Sequence, residues 1–207
     1  MRKASLLIVL ALFCSVISFA QMCMPAPSPA ASVSQAVGAT EVSIKYSSPG
    51  MKGRAIFGGL LPYGTIWRAG ANSATMISFQ DDVMVGGKEL KAGEYSLFIT
   101  PKESGAWAIY FDPSGKSVFN YEEDEAKIKA TEGVVMIEAT PKMMTENQER
   151  MKFYIELTDD KTAHVTMKWE KTALSFEVKT DPQAIAKSSI EAQLASWYSY
   201  ASAAQYY

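Results

Sequence analysis

The residues best suited to bind a ligand cluster in one irregular, glycine-rich stretch, residues 47–74. Two arginines lie there among aromatic side chains. A guanidinium group offers a fork of donors to a carboxylate or phosphate, and aromatic rings pack against the apolar face of a sugar. We therefore expect a binding site for a small anionic or saccharide ligand. The residues expected to form it are Arg54, Tyr63, Trp67, Arg68 and Asn72, together with Glu94 from a later strand.

The same stretch also has a purely structural interpretation. Tyr63 and Trp67 could belong to the hydrophobic core, Arg68 could donate to buried carbonyls of the loop, and Asn72 could supply a turn. Long apolar connections without regular alternation are unusual in compact domains and are often functional. Both interpretations stay open from the sequence.

The sequence contains no recognisable set of catalytic residues. The only histidine, His164, falls on the polar side of an alternating strand, and no Gly-x-Ser-x-Gly motif accompanies it. The acidic run at residues 122–125 lacks the spacing and central glycine of a calcium loop. We predict no catalytic residue, no metal and no cofactor. An envelope hydrolase of glycan or peptide, with Glu94 or an aspartate as base, is an alternative.

The N-terminus has the three-part layout of an export signal. Arg2 and Lys3 precede an apolar run that ends at Ala20. This run is shorter than the roughly 20 apolar residues that a membrane-spanning helix needs. We expect cleavage after Ala20 and a periplasmic or secreted protein without a transmembrane segment. Lipid attachment at Cys23 is a minor alternative, since the residues directly before it are not small.

Charge and cysteine content narrow the expected partners. The net charge of −2 becomes −4 when Arg2 and Lys3 leave with the signal, because no acidic residue leaves with them. A mildly acidic chain has no electrostatic reason to bind nucleic acid. The expected partner is an unknown small molecule or an envelope protein, and the oligomeric state stays open. Cys23 alone cannot form an internal disulfide, so the fold must depend on its core.

Alternation of apolar and polar residues predicts strands from about residue 40 to residue 178. Val42, Ile44 and Tyr46 alternate with polar residues, and Gly86 and Gly87 separate two short strand-like runs, as in a tight hairpin. Many short strands without intervening helices indicate an all-β fold, an antiparallel β-sandwich of jelly-roll type.

The periodicity changes after residue 180. Asp181 and Pro182 suit a helix start. Apolar residues then recur at three- and four-residue steps and predict a C-terminal amphipathic α-helix: Ala186, Ile190, Leu194, Trp197, Ala201 and Ala204. We expect this stripe to pack on the sandwich; the alternative is a structural or interaction protein whose helix binds a partner. The predicted segments are a signal peptide (1–20), a flexible leader rich in Pro, Ala and Ser (21–32), the sandwich (33–180) and the helix (181–207).

Several motifs together resemble one bacterial family, known as domain of unknown function 2911. They are residues 46–58 (YSSPGMKGRAIFG), 62–64 (PYG), 67–72 (WRAGAN), 92–98 (AGEYSLF), 169–172 (WEKT), and Trp197 with the aromatic end of the chain. The resemblance covers about residues 33–207. It implies an exported protein, typically of Gram-negative bacteria, and no established activity. Two positions depart from the family pattern: Ala69 stands where threonine is common, and Ser73 where glutamate is common.

Overall fold

The computed structural model describes residues 25–121 and 124–204, with side chains described as far as Trp197. Ten strands and two α-helices follow one another along the chain. The strands are β1 (Ala30–Val37), β2 (Thr40–Ser47), β3 (Thr75–Phe79), β4 (Val83–Val85), β5 (Lys88–Leu90), β6 (Gly93–Thr100), β7 (Trp107–Asp112), β8 (Val135–Ala139), β9 (Lys142–Asp159) and β10 (Thr162–Lys179). A 3₁₀ helix (Val118–Tyr121) and α1 (Glu125–Lys129) lie between β7 and β8, and α2 (Pro182–Ala204) follows β10.

The strands form two antiparallel sheets that pack face to face. One has six strands in the order β1-β2-β3-β6-β7-β8, and the other has four in the order β5-β4-β10-β9. The chain leaves the first sheet after β3, forms the β4–β5 hairpin at Gly86 and Gly87, and returns as β6 beside β3. The predicted β-sandwich with a C-terminal helix is confirmed.

Alternating apolar residues from both sheets make the core. Val42 and Ile44 of β2 are fully buried, whereas Glu41 and Lys45 on either side of them are exposed. Four aromatic rings meet in the middle of this core. The rings of Trp67 and Trp169 stack with their centroids 5.7 Å apart, and Phe57 lies 4.7 Å from Trp107. Burial of this apolar surface is the main stabilising contribution to the fold.

Strand β10 turns back on itself near its middle. Thr166 Oγ1 lies 3.0 Å from Ser175 Oγ, although nine residues of extended chain would span about 30 Å. Thr180 N likewise donates to the Lys161 carbonyl at 2.9 Å, so the two halves of β10 run side by side. Glu170 has a positive φ of 55° and lies at the reversal. The halves therefore form a hairpin, which brings Trp169 into the core beside Trp67.

The expectation that no helix separates the strands, and that each sheet has one wet face, was wrong at β6 and β7. Every residue of β7 is buried, because the 3₁₀ helix and α1 cover the outer face of this sheet. Val118, Tyr121 and Ile128 pack there against Phe98 and Tyr110 in a second apolar cluster. We call the two helices, Val118–Tyr121 and Glu125–Lys129, the covering segment. Its sequence lacks a regular period, so the sequence did not predict these helices.

The first strand begins before the boundary expected from the sequence. Strand β1 begins at Ala30, inside the segment expected to be a flexible leader, because these small residues pair along their backbone with β2. The predicted signal peptide and Cys23 lie outside the described residues.

The expectation that α2 packs on the sandwich through its apolar stripe was wrong. Ile190, Leu194 and Trp197 are 58%, 51% and 64% exposed. Asp181 caps the helix by accepting from the backbone N–H groups of Gln183 and Ala184. The helix thus starts at its own cap, and the apolar residues Ile190 and Leu194 in its middle are exposed. No helix in the ranges 25–121 and 124–204 is long and apolar enough to cross a membrane.

Candidate functional site

A small cleft opens on the outer side of the six-stranded sheet, where the glycine-rich stretch meets the 3₁₀ helix. Its volume is about 190 Å³. Among the described lining residues, the side chains are apolar except for the Thr65 hydroxyl and the Arg68 guanidinium group. The lining residues are Leu60, Leu61, Pro62, Thr65, Ile66, Trp67, Arg68, Val118 and Phe119.

The backbone around Trp67 fixes the position of Arg68. The backbone N–H of Trp67 donates to the Ile99 carbonyl of β6, and the Trp67 carbonyl accepts from the N–H of Ile99, both at 2.8 Å. Trp67 points into the core, and its indole Nε1 donates to the Gly70 carbonyl at 2.9 Å. Because neighbouring residues of extended chain point to opposite sides, Arg68 points outward into the cleft.

The guanidinium of Arg68 has a ring contact but no hydrogen-bonding partner. Its central carbon lies 5.4 Å from the centroid of the Phe119 ring. In the described part of the chain, no carbonyl or carboxylate accepts a hydrogen bond from this group, and no carboxylate forms an ion pair with it. The side chain is half-buried. A half-buried cation against apolar walls attracts an anion, because little water competes with the ligand there.

Phe119 forms one wall of the cleft and is held from both flanks, although it is itself 66% exposed. Val118 and Tyr121, the first and last residues of the 3₁₀ helix, are buried on the side that faces the sheet. The Tyr121 hydroxyl donates to the fully buried carboxylate of Asp112, which also accepts from the backbone N–H and hydroxyl of Ser114, both at 2.8 Å. Burial raises the pKa of Tyr121, and its bond to Asp112 raises it further.

A second tyrosine–carboxylate pair ties α1 to the same sheet. The Tyr110 hydroxyl donates to Glu125, which also pairs with Lys129 at 3.1 Å. Burial alone would raise the pKa of Glu125, but the hydrogen bonds from Tyr110 and Lys129 lower it below its ordinary value. Burial and the neighbouring carboxylate both raise the pKa of Tyr110. The covering segment is therefore fixed to the sheet at two points.

Of the six residues expected to bind a ligand, only Trp67 and Arg68 line this cleft. Arg54 instead holds the start of the glycine-rich stretch: its Nε donates to the Met51 carbonyl at 2.9 Å and its Nη2 to the Gly50 carbonyl at 2.8 Å. The sequence had offered such a structural role for Arg68, and Arg54 performs it. The Tyr63 hydroxyl donates to the Phe57 carbonyl at 3.3 Å and closes a turn of the same stretch.

Asn72 and Glu94 lie elsewhere. Asn72 has a positive φ of 59°, and its amide donates to the Ser47 hydroxyl at 3.2 Å, which fits the turn role considered from the sequence. Glu94 is exposed at the start of β6, where its carboxylate lies 4.0 Å from Lys45 Nζ. It shares a shallow depression with Glu41, and none of the described residues that line the Trp67–Arg68 cleft has a carboxylate.

Sequence reasoning missed the residues from the covering segment, Val118 and Phe119. They lie about 50 positions after Arg68, and no motif links the two segments. The exposure of Phe119 and the burial of Val118 are visible only in the structure, so the sequence offered no signal for either residue.

Two further clefts carry mainly polar or acidic side chains. One lies between the β4–β5 hairpin and the first turns of α2, and Asp81, Asp82, Glu89 and Asp181 surround it. Lys91 neutralises part of this charge: its ammonium group lies 2.9 Å from Asp82, and this hydrogen bond lowers the pKa of Asp82. The other lies on the solvent face of the four-stranded sheet and contains His164. Among the described side chains, no three of His, Cys, Asp or Glu are placed to hold a metal ion.

The geometry defines a class of protein: a two-sheet β-sandwich whose glycine-rich connection and helical covering segment enclose one small apolar cleft with a single cation. The chain belongs to the family described as "Protein of unknown function (DUF2911)", whose model matches residues 28–178. That match spans the whole sandwich apart from the last residue of β10. Neither the curated proteins nor the solved structures contain a significant match to the chain.

Proposed function

We propose that this protein is a binding module whose cleft holds an anionic group attached to an apolar one. The observation that carries the proposal is the guanidinium of Arg68, which has no hydrogen-bonding or ionic partner among the described residues and lies in a cleft whose other described lining residues are apolar except for Thr65. Burying a cation without a partner costs free energy, and a ligand anion would offset that cost. The nearby Phe119 ring would cover the apolar part of the ligand.

Binding of a simple probe tests this proposal. Benzoate combines a carboxylate with one apolar ring, and benzyl alcohol is its neutral counterpart. We expect benzoate to bind with a dissociation constant of about 1 mM and to shift the backbone amide NMR signals of residues around the cleft. Benzyl alcohol should bind at least about tenfold more weakly, because it lacks the charge that Arg68 attracts.

Matched variants separate the cleft from general surface charge. Arg68→Gln should weaken benzoate binding about tenfold or more, whereas Lys88→Gln, an exposed change on β5, should leave it unaltered. Equal binding of benzoate by the wild type and Arg68→Gln would show that the cleft is not the anion site.

We also propose that the protein acts outside the cytoplasm, in the periplasm or secreted. The proposal is supported by the basic start at Arg2 and Lys3, the apolar run after it and the small residues up to Ala20. Protein recovered from cells expressing the full chain should begin at Gln21 in intact-mass analysis. A mass that includes residues 1–20 would contradict cleavage, and added lipid mass on Cys23 would indicate the tethered form.

A further inference from the structure

The size of the cleft limits what part of a ligand can enter it. The cleft has a volume of about 190 Å³. Sites that enclose a whole small molecule usually measure about 300–1,000 Å³. The cleft is therefore small for a whole ligand, and any larger ligand would place one group in it and extend beyond its rim.

The rim of the cleft offers a surface for that remainder. Leu60 on one side is 42% exposed and Phe119 on the other is 66% exposed. Exposed apolar side chains around a cleft are typical of surfaces that contact a larger partner. Thr65 also lines the cleft, and its hydroxyl has no hydrogen-bonding partner within residues 25–121 and 124–204. It can accept from or donate to an amide of the ligand.

We propose that the ligand is the C-terminal end of a peptide with an apolar last residue. This inference rests on the proposed anion cleft. The terminal carboxylate and the last side chain are attached to the same carbon atom. One ligand residue thus supplies both an anion for Arg68 and an apolar group for the cleft. The preceding peptide bond lies within reach of Thr65, and the rest of the peptide crosses Leu60 or Phe119.

Paired tripeptides test the inference. The probes are acetyl-Ala-Ala-Leu with a free carboxylate, the same peptide as its C-terminal amide, and acetyl-Ala-Ala-Asp. Binding to the protein recovered from full-chain expression is measured by calorimetry or by NMR titration. We expect the free leucine peptide to bind at least about tenfold tighter than its amide and tighter than benzoate. The aspartate peptide should bind weakly, since a second carboxylate would enter an apolar cleft.

Variants connect the effect to individual side chains. Arg68→Gln should remove the difference between acid and amide, and Lys88→Gln should preserve it. Thr65→Val should weaken the peptide about three- to tenfold while leaving benzoate unchanged, because benzoate has no amide for the hydroxyl.

The outcomes separate this inference from the proposed function. If benzoate binds through Arg68 but the acid and amide peptides bind equally, the anion cleft stands and the peptide inference fails. Hexanoate binding as tightly as the leucine peptide would also overturn it, in favour of a free organic acid. If neither benzoate nor the peptides bind, both proposals fail.

Discussion

Two arginines of the same glycine-rich stretch have opposite environments. Arg54 gives its guanidinium to two backbone carbonyls, whereas Arg68 has only a ring beside it. Because Arg54 donates hydrogen bonds to carbonyl groups of the loop, its replacement should lower the free energy of unfolding. Because Arg68 has no acceptor in the described chain, its replacement should weaken the binding of an anion and leave stability nearly unchanged.

Replacement of Arg54 by lysine tests the structural role. A lysine ammonium cannot reproduce the fork that reaches the Gly50 and Met51 carbonyls together. We expect Arg54→Lys to lower the free energy of unfolding by about 1–3 kcal/mol, measured by urea denaturation. Arg68→Gln in the same assay should change it by less than about 0.5 kcal/mol. The reverse order of the two effects would contradict these assignments.

At the scale of elements, the reversal within β10 depends on an unusual backbone conformation. Glu170 has a φ of 55°, a region that costs a residue with a side chain about 1–2 kcal/mol. Glycine would relieve this cost, although the more flexible unfolded chain offsets part of the gain. We expect the free energy of unfolding to be unchanged or up to about 1 kcal/mol higher in Glu170→Gly. It should be clearly lower in Glu170→Val, because a branched side chain tolerates positive φ poorly.

The control for this prediction is a glycine at the exposed neighbour Lys171, whose φ is not positive. Lys171→Gly should lower stability slightly, since only the unfolded chain gains freedom. A glycine at residue 170 that destabilised the protein as much as one at residue 171 would show that the turn is unstrained.

The attachment of α1 to the sheet should depend on pH. The folded state holds the pKa of Glu125 below its ordinary value of 4.5. The stabilisation is therefore complete above about pH 4.5 and is lost as the pH falls through the lower folded-state pKa. We expect Glu125→Gln to cost stability at pH 7 and to cost less at about pH 3, measured by urea unfolding at both values. The exposed change Glu132→Gln should show no such dependence; a Glu125→Gln deficit that stayed constant with pH would contradict the assignment.

At the scale of the whole molecule, the sequence predicted the parts of the fold that follow a short period. Val42 and Ile44 recur every second residue, so their strand could be read directly, and two glycines identified the β4–β5 hairpin. Trp67 and Arg68 were recognised because they interrupt that pattern. Phe119 was not, because only tertiary packing brings the covering segment to the glycine-rich stretch.

The C-terminal helix shows why periodicity alone does not predict packing. Ile190, Leu194 and Trp197 have helical spacing, and the helix forms, but the stripe stays exposed. Periodicity states which side chains share a face of the helix; whether the sandwich has a matching surface depends on its own exterior. On the outer face of the six-stranded sheet, the part formed by β6 and β7 is already covered by Val118, Tyr121 and Ile128.

Removal of the helix should therefore leave the sandwich intact. Thr180 must be retained because it bonds to Lys161, so the truncated chain ends at Asp181. We expect its melting temperature to stay within about 2 °C of the full chain, since from residue 182 to Trp197 only Pro182 and Ile185 are even half-buried. A chain that ends at Ser175 instead loses Phe176 and Val178 from the core and should not fold.

A fall of more than about 5 °C in the melting temperature of the chain that ends at Asp181 would mean that α2 stabilises the sandwich after all. If light scattering showed a smaller assembly at unchanged melting temperature, the exposed stripe would instead be an interface between molecules.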